Sequence, residues 1–185
     1  MSVTHPTARG NRSGPSLSAL HSVADMEPVE VVRERFISAP SVEAIWQIVE
    51  PVERLPEWLS MCDRAELISG EGVGRRQRIH GTWGRRHSEI DQIVVAYQPG
   101  RLLSWKHERE LLDGKPAPQV SAETTFRIEI DPRVDGVLVR LRSIHLPASA
   151  FKRIVIRMVA ARVAGAMMKK SLNRLSAVVA ATTPR

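Results

Sequence analysis

The 185-residue chain has one cysteine, Cys62, and only 4% of its residues are aromatic. A single thiol excludes an internal disulfide and any zinc site built on several cysteines, and it makes the reducing cytoplasm the expected location. No apolar run reaches the ~18 residues of a transmembrane helix. The closest, Ile154 to Met168, is 15 residues long and is interrupted by Arg157 and Arg162. There is no glycine-rich phosphate loop, no dinucleotide fingerprint and no His-Glu-x-x-His pattern, and the six histidines show no tight ligand spacing. Neither a cofactor nor a metal is therefore expected. The serines and Cys62 lack a recognisable nucleophile elbow or partner. Residues 1–27 contain no apolar core of the kind a secretory signal needs; they read as a disordered tail, with Met26 as an alternative start directly before the ordered region.

Acidic residues are also missing from the end of the chain. From Ser149 to Arg185 there are eight basic residues (Lys152, Arg153, Arg157, Arg162, Lys169, Lys170, Arg174 and Arg185) and no acidic one. Of the net charge of +7, the first 148 residues therefore carry −1. Such a segment is either a solvated helix face or a contact for an anionic membrane surface or an acidic partner. Arg75, Arg76, Arg78, Arg85 and Arg86 cluster on two neighbouring segments. The aromatic interleaving of a single-strand nucleic-acid binder is thin, so nucleic acid is not an expected partner.

What is present is enough apolar residue, 43%, for one packed domain, placed over residues 28–181. Val29 to Ile37 is β-branched and reads as a strand. Ser41 caps a helix over Val42 to Val49, and Pro51 to Leu59 reads as a short second helix with Pro56 as a break. Six strands follow, near Arg64–Ser69, Val73–His80, Arg86–Tyr97, Arg101–Arg109, Val120–Ile130 and Val137–His145. Their short Gly-, Pro- and Asp-containing turns require antiparallel pairing. Pro147 to about Ala180 reads as one long helix, bent near Gly165. The expected fold is α+β: a curved seven-stranded antiparallel sheet wrapped around a long C-terminal helix, with two short helices after the first strand.

Several stretches carry a resemblance in the same order. Ile37-Ser38-Ala39-Pro40 followed by Ser41-Val42-Glu43-Ala44-Ile45-Trp46 looks like an opening signature of strand, Ala-Pro turn and helix. Pro56-Glu57-Trp58, Gly72-Val73-Gly74, the hairpin from Tyr97 to Trp105, and Ser171-Leu172-Asn173-Arg174-Leu175 follow it. Together they resemble the START-like, helix-grip superfamily, the SRPBCC group of polyketide cyclases/dehydrases and lipid-transport proteins. Gly136-Val137-Leu138-Val139 departs from the family's last hairpin, and the acidic residue common after the final helix is missing. The resemblance implies a cavity between sheet and helix for a hydrophobic or amphipathic small molecule, lipid or polyketide-like. It also implies an alternative, an aromatase/cyclase-type enzyme; the cationic C-terminal segment offers another, an interaction module docking through that helix.

Period-two alternation assigns the lining. Val139, Leu141 and His145 share one face of the last strand, and Phe126 belongs to the inward face of the one before. With Tyr97, Trp105 and Met158 these are the expected cavity residues. His145 is a ligand's hydrogen-bond partner, an acid–base candidate of the cyclase alternative together with His87 and Glu89, or a satisfied core histidine. The third strand allows two phases. In one of them His87 and Glu89 point into the cavity mouth, where burial would tune them for acid–base work; otherwise they stand at an exposed strand end.

Overall fold

The computed structural model describes residues 27–39 and 41–182. Residues 1–26, expected to form a tail, and Pro40 of the Ala-Pro turn lie outside the described residues. Strand β1 (Val29–Ile37) leads to α1 (Val42–Val49), a 3-10 turn (Val52–Arg54) and α2 (Leu55–Trp58). Then come β2 (Arg64–Ser69), β3 (Arg76–Trp83), β4 (Arg86–Gln98), β5 (Leu102–Leu112), the two-residue β6 (Lys115–Pro116), β7 (Ser121–Arg133) and β8 (Gly136–Pro147). The chain closes with α3 (Ala150–Val155), a π-helical turn (Ile156–Ala160) and α4 (Ala161–Thr182). The strands form one antiparallel sheet in the order β1-β8-β7-β5-β4-β3-β2, and β6 pairs with β5.

Local chemistry sets the ends of these elements. The Ser41 side chain accepts from the backbone N–H of Ala44, 3.3 Å away, and Ser149 caps α3 in the same way. Pro56 does not break the second helix. It occupies the first turn of α2, where a missing N–H costs nothing. The regular α-helix is interrupted by the π turn, not at Gly165, which lies buried inside α4. A Cβ added to Gly165 would meet the guanidinium of Arg33, so glycine there admits close approach of β1.

Met168, Leu172, Leu175 and Val179 form the buried stripe of α4 and pack over the concave face of the sheet. Trp58, Leu59, Ile45 and Ile48 from α1 and α2 close one end of the hollow. From the sheet come Ile79, Val94, Leu103, Trp105, Phe126, Ile128, Ile130, Val137, Val139 and Leu141. The alternation expected on β7 and β8 is realised: Phe126, Ile128 and Ile130, and Val137, Val139, Leu141 and Ser143, are the buried sets.

Candidate functional site

Two rungs cross the concave face from strand to strand. In the inner rung Val94 pairs with Trp105, Trp105 with Phe126, Phe126 with Ser143, and Ser143 with Val31. The rings of Trp105 and Phe126 stack 5.7 Å apart. One rung nearer the sheet's open end, Gln77 pairs with Gln92 and Gln92 with His107; in the same rung Thr124 pairs with His145. An apolar floor is thus bordered by a band of polar side chains.

That band is not fully satisfied internally. Gln77 Nε2 donates to Gln92 Oε1 at 2.9 Å, and both residues are 1% exposed. Gln77 Oε1, Gln92 Nε2 and both ring nitrogens of His107 are buried with no hydrogen-bond partner. Each such atom carries a desolvation cost of about 1–3 kcal/mol. Burial, reinforced by His145, pushes the His107 imidazole down to about 4, so it is neutral near pH 7. The Glu110 carboxylate approaches His107 Nδ1 to 3.8 Å, and burial raises its pKa.

A bulge creates this pairing. Asp91 pairs with Arg109 but Gln92 with His107, so Glu108 is an extra residue in β5. The inserted residue reverses the phase beyond it, and Glu110, opposite Ile90, joins the face of His107. Period-two alternation puts His107 on the face of Trp105, but it does not point to Glu110, Gln77 or Gln92. The signal for the glutamines was available as polar residues within apolar strand phases: Gln77 beside Ile79, and Gln92 between Ile90 and Val94.

The residues named from sequence are divided by the structure. Trp105, Phe126, Val139 and Leu141 are buried in the shared interior. Tyr97 is at the closed end of the hollow, edge-on to Trp46 at 5.6 Å, because an extra residue at Val95 puts it opposite Leu103. His145 has neighbours for both nitrogens: Ser143 Oγ at 2.9 Å from Nε2, and Ser121 Oγ and Thr124 Oγ1 at 3.3 and 3.5 Å from Nδ1. Of the two inward histidines, His107 is the one left open. Met158, expected in the lining, is 65% exposed, within the π turn and on the same outward stripe as Phe151 and Ile154.

His87 and Glu89 do not point into the interior. Ile90, Gln92 and Val94 take the inward phase, so His87, Glu89 and Asp91 stand on the outer face. His87 stacks on His80 at 5.8 Å, and Glu89 accepts from Arg109 Nη2 at 3.1 Å. Asp91 is held below the usual carboxylate range by hydrogen bonds from Arg78 and Arg109, opposed by partial burial. Most of the clustered arginines are neutralised in the same way: Arg75 pairs with Glu50, Arg76 with Glu108, Arg78 with Asp91 and Arg86 with Asp113.

The open end differs in character. Phe151, Ile154 and Met158 are 74%, 57% and 65% exposed at helical spacing, among Lys152, Arg153 and Arg157. Two clefts reach the surface. One, of about 310 Å³, follows the seam between Arg33, Glu34 and Arg35 of β1 and Lys169, Leu172 and Asn173 of α4. The other, of about 450 Å³, lies by Val42, Pro99 and Ile130. Neither is lined by residues of the polar rung. Among the described residues no helix is long and apolar enough to cross a membrane, and no three His, Cys, Asp or Glu gather to hold a metal.

Comparison with known proteins places this architecture. The family model described as "Polyketide cyclase / dehydrase and lipid transport" matches residues 28–180. Among solved structures, protein MLL2253 of Mesorhizobium loti is similar at 21% identity and a TM-score of 0.63, covering 84% of this chain and 100% of that one. TTHA0849 of Thermus thermophilus gives 15% identity and a TM-score of 0.66 over 84% and 100% of the two chains. Ginseng major latex-like protein 151 of Panax ginseng gives 10% and 0.64 over 81% and 96%. At these identities the likeness is one of fold, the helix grip. No curated protein matches the chain.

Proposed function

Because the chain belongs to the polyketide cyclase / dehydrase and lipid transport family, we propose that it binds a hydrophobic or amphipathic small molecule between the sheet and its last helix. The observation that carries this reading is the set of buried, unpartnered polar atoms on Gln77, Gln92 and His107, bordering an apolar floor. A purely structural core gains nothing from such atoms. A ligand with an apolar body would contribute roughly 25 cal/mol per Å² buried and could satisfy them with its polar end. Access requires movement of the covering segment, and the helix has a suitable joint in the π turn at Ile156–Ala160.

The test is a thermal-shift and native mass-spectrometry panel of fatty acids, sterols and polyketides. At a hundredfold excess over Kd, a bound ligand stabilises the fold by about 2.7 kcal/mol. At least one class is expected to raise the melting temperature and to be carried into the gas phase. His87→Ala and Glu89→Gln are expected to leave that binding unchanged, since both side chains stand outside. A panel without any shift or adduct overturns the reading.

A second reading, contact with an anionic membrane, is supported by the solvent-facing stripe of Phe151, Ile154 and Met158 with cations on either side. An apolar face flanked by lysine and arginine lies stably in the headgroup region, with about 1 kcal/mol from each cation near the surface. Sedimentation with phosphatidylserine-containing vesicles should exceed that with phosphatidylcholine alone and weaken as salt rises. The double variant Phe151→Asp, Ile154→Asp should abolish it. Equal sedimentation of variant and wild type removes this reading.

A further inference from the structure

The polar rung constrains the chemistry of the ligand more closely than the apolar floor does. Gln77 Oε1 offers an acceptor and Gln92 Nε2 a donor, and a neutral His107 ring offers one of each. Glu110 stands 3.8 Å from His107 Nδ1, and Arg153 of the covering α3 has its Nη2 donating to Glu27 Oε2 at 2.9 Å. No described Lys or Arg forms an ion pair or hydrogen bond with Gln77, Gln92, His107, Glu110 or His145. The inward arginines of β1 are engaged elsewhere: Arg33 lies against Gly165, and Arg35 Nη1 donates to Asn173 Oδ1 at 2.7 Å. A carboxylate or phosphate entering here would find no counter-cation, and Glu110 would oppose it.

We propose that the ligand's polar group is uncharged, a hydroxyl or carbonyl that completes the hydrogen bonds of Gln77, Gln92 and His107. This rests on the ligand-binding reading above and adds to it the class of headgroup. The lowered pKa of His107 and the raised pKa of Glu110 agree with it, since both describe surroundings that disfavour a charge. A hydroxyl suits the rung best, because it donates to one open acceptor and accepts from one open donor.

The experiment compares ligands of equal chain length: dodecane, dodecan-1-ol, dodecan-2-one and dodecanoate, titrated into the full chain between pH 6 and 8. The alcohol and ketone are expected to bind with an affinity independent of pH and about tenfold or more above dodecane. Dodecanoate would bind only as the protonated acid, and its apparent affinity would fall about tenfold per pH unit. Gln92→Leu and His107→Leu should each lower alcohol affinity about tenfold, and His107→Gln, which keeps a donor and an acceptor, should restore part of it. If dodecanoate at pH 8 equals the alcohol, or if dodecane does, the headgroup inference is overturned while the ligand-binding reading stands. If neither leucine variant changes alcohol affinity, the same conclusion follows. If no probe binds, that counts against the ligand-binding reading itself and takes this inference with it.

Discussion

Glu50→Ala will lower the stability of the fold by about 3 kcal/mol, the lower end of the range for breaking a buried ion pair. Arg75 is 6% exposed, and its Nη1 donates to Glu50 Oε1 at 2.6 Å while Nη2 donates to the Glu50 carbonyl at 3.2 Å. Arg75 Nε has no partner at all, so among the described residues its only ion pair is with this one carboxylate. Removing the carboxylate strands a charge, which costs more than the pair contributes. For a domain of this size the loss corresponds to a fall in Tm of about 6–12 °C. Replacing both residues, Glu50→Leu with Arg75→Leu, should recover much of it, because no charge is then left behind. Equilibrium denaturation of the two single variants and the double variant gives the coupling directly. A single-variant loss under about 1 kcal/mol would show that solvent reaches Arg75. The pair pins the end of α1 to the start of β3, two residues before Gln77 of the polar rung.

The legible and illegible parts of the site follow from strand regularity. β7 and β8 pair without a shift from Glu123 to Arg133. Their side chains keep strict alternation over that span, and the inward residues could be read directly as Phe126, Val139 and Leu141. β4 and β5 carry two bulges, one at each strand's extra residue. Each adds one residue and reverses the phase, so no single period describes either strand. Val94 and Tyr97, three apart, both face inward, and so do His107 and Glu110. The acid–base candidates that alternation offers, His87 and Glu89, stand on the convex side of β4. The C-terminal helix shows the same effect. Its second half obeys a 3.6-residue period through Met168, Leu172, Leu175 and Val179. The π turn separates this buried stripe from the exposed one of Phe151, Ile154 and Met158. Periodicity thus revealed the grip and its floor, while the polar rung depended on insertions that leave no mark in hydropathy.

Acidification between pH 6.5 and 4 will destabilise the protein through His107. The imidazole's pKa falls from its ordinary value of 6.5 to about 4 in the folded chain. Below 6.5 the unfolded chain takes up a proton that the folded chain refuses, so the unfolded state gains free energy as pH drops. The penalty grows to about 2 kcal/mol at pH 5 and about 3 kcal/mol at pH 4, and levels off below that. Carboxylates held low by arginines, Asp91 among them, also lose stability on the acid side, as they protonate. The His107 share is isolated by His107→Leu, in which the difference from wild type should shift by that amount across the window. The leucine variant is expected to equal or exceed wild type in stability at pH 5, since it also removes two unpartnered buried nitrogens. Urea titrations of both proteins at half-unit intervals of pH measure this difference. A wild-type-minus-variant curve flat from pH 6.5 to 4 would mean that the ring is protonated or solvated inside the fold. The uncharged rung on which the headgroup inference depends would then not exist.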